Sequence, residues 1–263
     1  PETQTIHEGG SLLGENPGSA LSRNQQLEQK LPIYLQMVDP SLSGPASEQA
    51  LGVFQALNRL NVITVRPLML SIVEADEADE GLRRLLRLVV RRIVVGNLGT
   101  GNIERRFSEA ARRVREAKNW HSALSELDDL NPDRDYFIEQ IGKRSFNKGV
   151  MSFIRNSVIQ SNITPNLYYN LHYIIPKSIK DGHNISDGDL SYWGNTIGNT
   201  FLSTEERRAA DSDTWGGFRA NMFPIAAPEE MVARLSSFEE WTVDAIQEMA
   251  RVLSARAAEI WYD

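Results

Sequence analysis

Two short segments hold the side chains best suited to chemistry. Leu171-His172-Tyr173-Ile174-Ile175-Pro176-Lys177 sets an imidazole and a phenol in an apolar run stopped by proline, and Ile197-Gly198-Asn199-Thr200-Phe201-Leu202-Ser203 follows. Histidine titrates near neutral pH and can take a proton from water. Tyrosine, with an ordinary pKa of about 10, is a poor base there but can hold a phosphate or a water. Asp181, His183, Asp187, Asp189, Glu205 and Glu206 lie in the polar stretches between and after these segments. Carboxylate oxygens of this kind suit magnesium or another divalent metal. Adjacent strand residues point to opposite faces, so a slipped strand or bulge is needed to aim His172 at a site shared with Tyr173. The competing reading makes His172 an ordinary half-buried strand histidine and the carboxylates loop solubilisers.

A second set of candidates is cationic. Residues 81–118 carry ten arginines and one lysine against Glu104, Glu109 and Glu116. Within an acidic chain such a cluster reads as a phosphate-facing surface, with Arg91, Arg92, Arg105 and Arg106 as candidate DNA contacts. It reads equally as the solvated faces of two amphipathic helices. Gly96-Asn97-Leu98-Gly99-Thr100-Gly101 falls between those helices with no strand before it, which makes it a helix break rather than a phosphate cradle. Trp193-Gly194-Asn195 and Trp215-Gly216-Gly217 could stack on bases, but such aromatics more commonly anchor loops.

The elements that must position these residues are mostly helical. Residues 1–30 are rich in Gly, Ser, Asn, Gln and Glu and read as a linker or ragged edge, with at most one polar helix near Ala20–Lys30. Leu31, Tyr34, Leu35 and Val38 then repeat at helical spacing until Asp39-Pro40. Ser47 caps a helix through Leu51, Phe54, Leu57 and Leu60, and Arg66-Pro67 interrupts the apolar run over 62–73. Leu82, Leu85, Leu86, Val89, Val90 and Ile93 mark one helical face; Ile103, Phe107, Ala110, Ala111 and Val114 mark the next. Further helices fall near 122–130, 133–141 and 148–160, with Asn131-Pro132-Asp133 as a turn and cap. The texture then changes: 168–175 is aromatic and β-branched and predicts a strand, and the tail from Glu239 to Ile260 is helical again.

Composition bounds the function. With 263 residues, 41% hydrophobic and 24% charged, the chain can bury one large or two ordinary cores. No apolar run reaches the roughly 18–20 residues of a membrane span. Zero cysteines exclude disulfides and thiolate metal sites and fit a reducing, cytoplasmic setting. A net charge of −7 argues against a protein that simply coats DNA. Walker A, GxGxxG and HExxH patterns are absent. The first residue is Pro and no signal peptide follows, which reads as a fragment of a longer protein.

Two stretches together resemble the C-terminal half of the GmrSD-type family of prokaryotic defence factors, which includes type IV, modification-dependent restriction enzymes. The first is Val89-Val90-Arg91-Arg92-Ile93-Val94-Val95-Gly96 followed by Asn102-Ile103-Glu104-Arg105-Arg106-Phe107. The second joins His172–Pro176 and Gly198-Asn199 to the closing Trp241-Thr242, Ile246, Leu253, Ala257, Ile260-Trp261 series. The resemblance implies a mainly α fold: a helical domain over 31–160, then a small α+β HNH-like (ββα-metal) module over 161–263, closed by a long C-terminal helix. It implies a DNA-interacting effector of phage defence, acting on DNA that includes modified phage DNA, and a ParB-like NTPase domain outside this chain as partner. It also implies a metal-dependent nuclease centre in which a histidine deprotonates water and an acidic residue helps hold Mg2+ or another divalent metal. His172 stands at the family's acidic position, Tyr173 at its histidine position and Asn199 at a matching asparagine. The later Asn or His and Lys of the pattern have no counterpart in Thr204–Ala209, and an arginine usual in the closing helix corresponds to Met249. The implied centre is therefore impaired or rearranged. Two further readings follow: a non-catalytic DNA-binding module, or a structural region that binds the NTPase domain.

Overall fold

The computed structural model describes residues 17–96, 98, 101–179, 184–227 and 231–262. The described chain is mainly α-helical, with a single two-stranded sheet. Helix α1 spans Pro17–Val38 and passes through Pro32, so it crosses the boundary expected near residue 30 without a break. Pro32 is exposed, while Gln36 and Met37 in the next turn are buried. Packing of that inner face against α2 (Glu48–Arg59) and α3 (Arg66–Ile72) holds the helix although proline removes one backbone donor. Ser47 caps α2 by accepting from the Ala50 N–H at 3.0 Å. Pro67 falls in the first turn of α3, where its missing N–H has no intrahelical partner to lose, so Arg66-Pro67 starts a helix rather than breaking one.

The patterned pair forms as the periodicity predicts. Helix α4 (Ala78–Val95) buries Leu82, Leu85, Leu86, Val89 and Val90, and ends at Gly96 in the left-handed region, φ 81°. Helix α5 (Gly101–Ala117) buries Ile103, Phe107, Ala110, Ala111 and Val114. A short helix α6 (His121–Ser125) and a 3-10 turn at Asp128–Leu130 replace the one helix expected near 122–130. Asp133 then caps α7 (Arg134–Lys143), and Asn147 caps α8 (Lys148–Gln160).

Strand β1 (Asn170–Tyr173) pairs antiparallel with β2 (Thr200–Ser203), with His172 opposite Phe201 and Tyr173 opposite Thr200. Helix α9 (Asp187–Trp193) and a 3-10 turn at Ile197–Asn199 lie between the strands. After β2 come α10 (Trp215–Met222), α11 (Met231–Ser236) and the closing helix α12 (Val243–Tyr262). Helix α12 packs on α7, on the Ile197–Asn199 turn, and on α4 and α8. One hydrophobic cluster runs from Met37 to Trp261, so the same core supports the helical part and the strand pair. Among the described residues no helix is long and apolar enough to cross a membrane.

Candidate functional site

The Gly198-Asn199 turn sits where the two strands meet α12. A Cβ on Gly198 would collide with the Ile246 carbonyl of α12 and crowd Ala250, so glycine is what lets the turn lie directly on the helix. Asn199 is fully buried. Its Nδ2 donates to the carbonyls of Ile175 at 2.8 Å and Gly194 at 2.9 Å. Its Oδ1 accepts from the Trp241 indole at 3.0 Å and from the Ile175 N–H at 3.2 Å. An amide oxygen has two lone pairs and an amide nitrogen two protons. All four are used. The side chain clamps the end of β1, the α9 terminus and the entry to α12 to one point.

His172 is 8% exposed, with Nε2 at 3.0 Å from the Glu205 carbonyl and 2.9 Å from the buried Ser203 hydroxyl. A carbonyl only accepts, so Nε2 carries a proton in that contact and is neither a free base nor a free ligand there. Burial pushes the imidazole below its ordinary pKa; the Glu205 carbonyl opposes this and the charges of Lys148 and Arg208 add to it. Tyr173 is half-buried, and burial pushes its phenol further above the neutral range. A neutral histidine and a neutral phenol result at physiological pH.

The donor set does not fit a divalent cation. Asn199 has no lone pair left, and with Nε2 engaged by the Glu205 carbonyl His172 offers only Nδ1, a single nitrogen where a divalent cation of this class needs several oxygen ligands. Among the described residues there is no group of three His, Asp or Glu side chains placed to share an ion. Asp189 accepts from the Ser186 hydroxyl at 2.7 Å in the cap of α9, and Glu205 and Glu206 are exposed. Asp181 and His183 lie outside the described residues.

The arginines expected to face phosphate turn mostly inward. Arg91 donates through Nε to the Trp261 carbonyl at 2.6 Å and through Nη1 to Asn131 at 3.0 Å, and lies 4.1 Å over the Tyr262 ring. It thereby caps the C-terminal end of α12, where a cation is favoured. Tyr262 beneath it is pushed up to about 12, mainly by burial. Arg92 donates to the Leu130 carbonyl at 3.1 Å. Arg106 takes Asp129 at 2.7 Å and 2.5 Å and the Glu126 carbonyl at 2.5 Å. Arg105 alone of the four is mainly solvated, its side chain 71% exposed beside Glu109.

Two structural arginines escaped the sequence reading. Arg155 is fully buried and donates to the Thr200 hydroxyl at 3.0 Å, joining α8 to β2. Its signal was present, since Met151, Ile154, Arg155 and Val158 share one helical face. Arg208 donates to the carbonyls of Tyr173 and Ile174, the latter at 3.0 Å, and to that of Ser212. It fastens the segment after β2 beneath β1; no local pattern marks it. Trp215 stacks on Trp241 at 5.0 Å and donates to the Phe238 carbonyl at 3.1 Å, so it anchors its loop. The chain matches no protein-family model and no curated protein.

Proposed function

We propose that this chain is the C-terminal region of a GmrSD-type phage-defence protein whose HNH-like frame no longer cuts DNA and serves as an assembly module for a ParB-like NTPase domain. The observation that carries this reading is the saturated Asn199. The strand, Gly-Asn turn, returning strand and closing helix occur in the order the resemblance implies, yet the asparagine fastens backbone to backbone. The net charge of −7 and the carboxylate partners of Arg84, Arg106 and Arg113 also favour a protein partner over a polyanion. A DNA-contacting role keeps its footing in the exposed arginines of this stretch, Arg105 with Arg83, Arg112 and Arg115.

A supercoiled-plasmid nicking assay with Mg2+ or Mn2+ tests the first half of the reading. No metal-dependent nicking is expected from the parent chain. Nor is any expected after His172→Asp with Tyr173→His, because the new carboxylate would be buried facing the Glu205 carbonyl. Nicking by the parent that His172→Ala abolishes would overturn the proposal. Sizing of the chain mixed with a ParB-like NTPase domain from the same system tests the second half. Co-elution is expected, and unchanged elution of both removes the assembly role.

A further inference from the structure

Six large apolar side chains stand exposed along α1 and just beyond it: Leu27 at 67%, Leu31 at 52%, Tyr34 at 41%, Leu35 at 44%, Val38 at 45% and Leu42 at 43%. Isolated exposed leucines are ordinary, but a contiguous apolar strip on one helix marks an interaction surface. At 100° per residue Leu27, Leu31, Tyr34 and Val38 fall within about 60° of one another. Gln36, buried, lies on the opposite side of the helix, and Met37, also buried, borders the band about 60° from Tyr34. Beside Tyr34 lies a hollow of about 520 Å³ in which Ile63, Pro67 and Leu70 are joined by Lys30, Arg66 and Arg115.

The spacing indicates what covers it. Leu27, Leu31, Tyr34 and Val38 are separated by four, three and four residues, a heptad seam and a palindrome. Two such helices laid antiparallel across a two-fold axis place Leu31 opposite the second copy's Tyr34 and Leu27 opposite its Val38. Every layer is then apolar on apolar, and the interface is self-complementary as a two-fold contact requires. Pro32 lies outside the band, so its ring does not obstruct the approach. The flanks suit a protein partner. Gln25, Glu28 and Gln29 are exposed, and Lys30 is held by Glu74 at 2.6 Å. A helix lying on an anionic membrane would instead carry a lysine- and arginine-rich polar face. The four seam side chains expose on the order of 400 Å² per copy, so the seam alone buries roughly 800 Å² in a pair, an area suited to a weak, reversible dimer.

We propose that α1 is a dimerisation helix, pairing antiparallel with α1 of a second copy of this chain through Leu27, Leu31, Tyr34 and Val38. The inference stands on α1 alone and does not depend on the reading of the HNH-like frame. Sedimentation of the full chain over a micromolar concentration series is expected to show a monomer–dimer equilibrium. Leu31→Glu with Val38→Glu is expected to weaken association at least tenfold while leaving the circular dichroism and the melting temperature of the monomer in place, since both positions are exposed. A parent chain that stays monomeric across the series overturns the proposal, as does a folded double variant that dimerises like the parent. The chain has no cysteine, so register can be read by cross-linking. Leu31→Cys mixed with Tyr34→Cys should oxidise chiefly to the mixed disulfide, and preferential Leu31→Cys homodimers would overturn the antiparallel arrangement.

Discussion

Asn199 and the arginines of α4 and α5 are both motifs that the sequence aims at a ligand, and the structure spends both on the fold by different physics. Asn199 is neutral and fully buried, and its four polar bonds close within the β1–β2–α12 junction. The arginines are charged and stay near the surface, bonding backbone carbonyls at helix ends or carboxylates across a helix boundary. Removing the amide leaves several buried groups without partners and without water. Removing a guanidinium leaves carbonyls and carboxylates that solvent can still reach. The two regions should therefore respond to mutation on different scales.

The largest effect is expected at Asn199. Asn199→Ala strands the Ile175 N–H, the Trp241 indole N–H and the carbonyls of Ile175 and Gly194. A loss of about 3–5 kcal/mol is expected, read as a fall in urea midpoint with little change in slope. Asn199→Asp sharpens the comparison, because a carboxylate would face two carbonyls. If that variant were as stable as the parent and bound Mn2+ more tightly, Asn199 would be a metal ligand and the clamp reading would be lost. Arg91→Ala comes next, at about 2 kcal/mol, since it removes charge-assisted bonds to the Trp261 carbonyl and the contact with Tyr262. Arg91→Lys should recover only part of this, because an ammonium cannot bridge Trp261 and Asn131 in one plane.

Most of the helical frame was legible because its signals are local. Ser47 and Asp133 cap helices through bonds to residues two or three positions on, and the apolar spacing of α4 and α5 specifies their buried faces directly. The strand pair was legible as a motif, but its role was not. Whether Asn199 faces an ion or the Trp241 indole depends on a partner 42 positions away. Arg91 poses the same problem at a separation of 170 residues, where it meets the end of α12. The edge expected near residue 30 failed for a related reason: the polar composition of that stretch carries no periodicity, whereas α1 runs through it and is held by packing against α2 and α3.

His172 gives a smaller effect that depends on pH. Its folded-state pKa lies below the ordinary imidazole value of about 6.5, chiefly because burial disfavours the imidazolium. Above that value the ring is neutral in both states and its contribution is fully present. As pH falls from 6.5 toward the lowered folded value, the unfolded chain binds a proton that the folded chain refuses, so stability drops. His172→Gln should flatten the difference in denaturant midpoint between pH 7.5 and pH 5.5 relative to the parent. An equal slope in both proteins would mean that the imidazole protonates freely in the fold and is open to solvent.

The smallest expected effect, at Arg105, bears most directly on DNA. Arg105 touches Asn102 at 3.3 Å and Glu109 at 3.7 Å, both on its own helix, and its side chain is 71% exposed. A solvated pair of this type contributes little, so Arg105→Ala should change stability by no more than about 0.5 kcal/mol. That near-neutrality makes it a clean probe, since Arg91, Arg92 and Arg106 cannot be removed without disturbing helix junctions. If the α5 surface contacted phosphate, Arg105→Glu would weaken duplex binding and lower its salt slope by about one counterion. Unchanged binding over a salt series is the expected result for an assembly module. A steep loss with the fold intact would return this surface to the DNA-contacting reading.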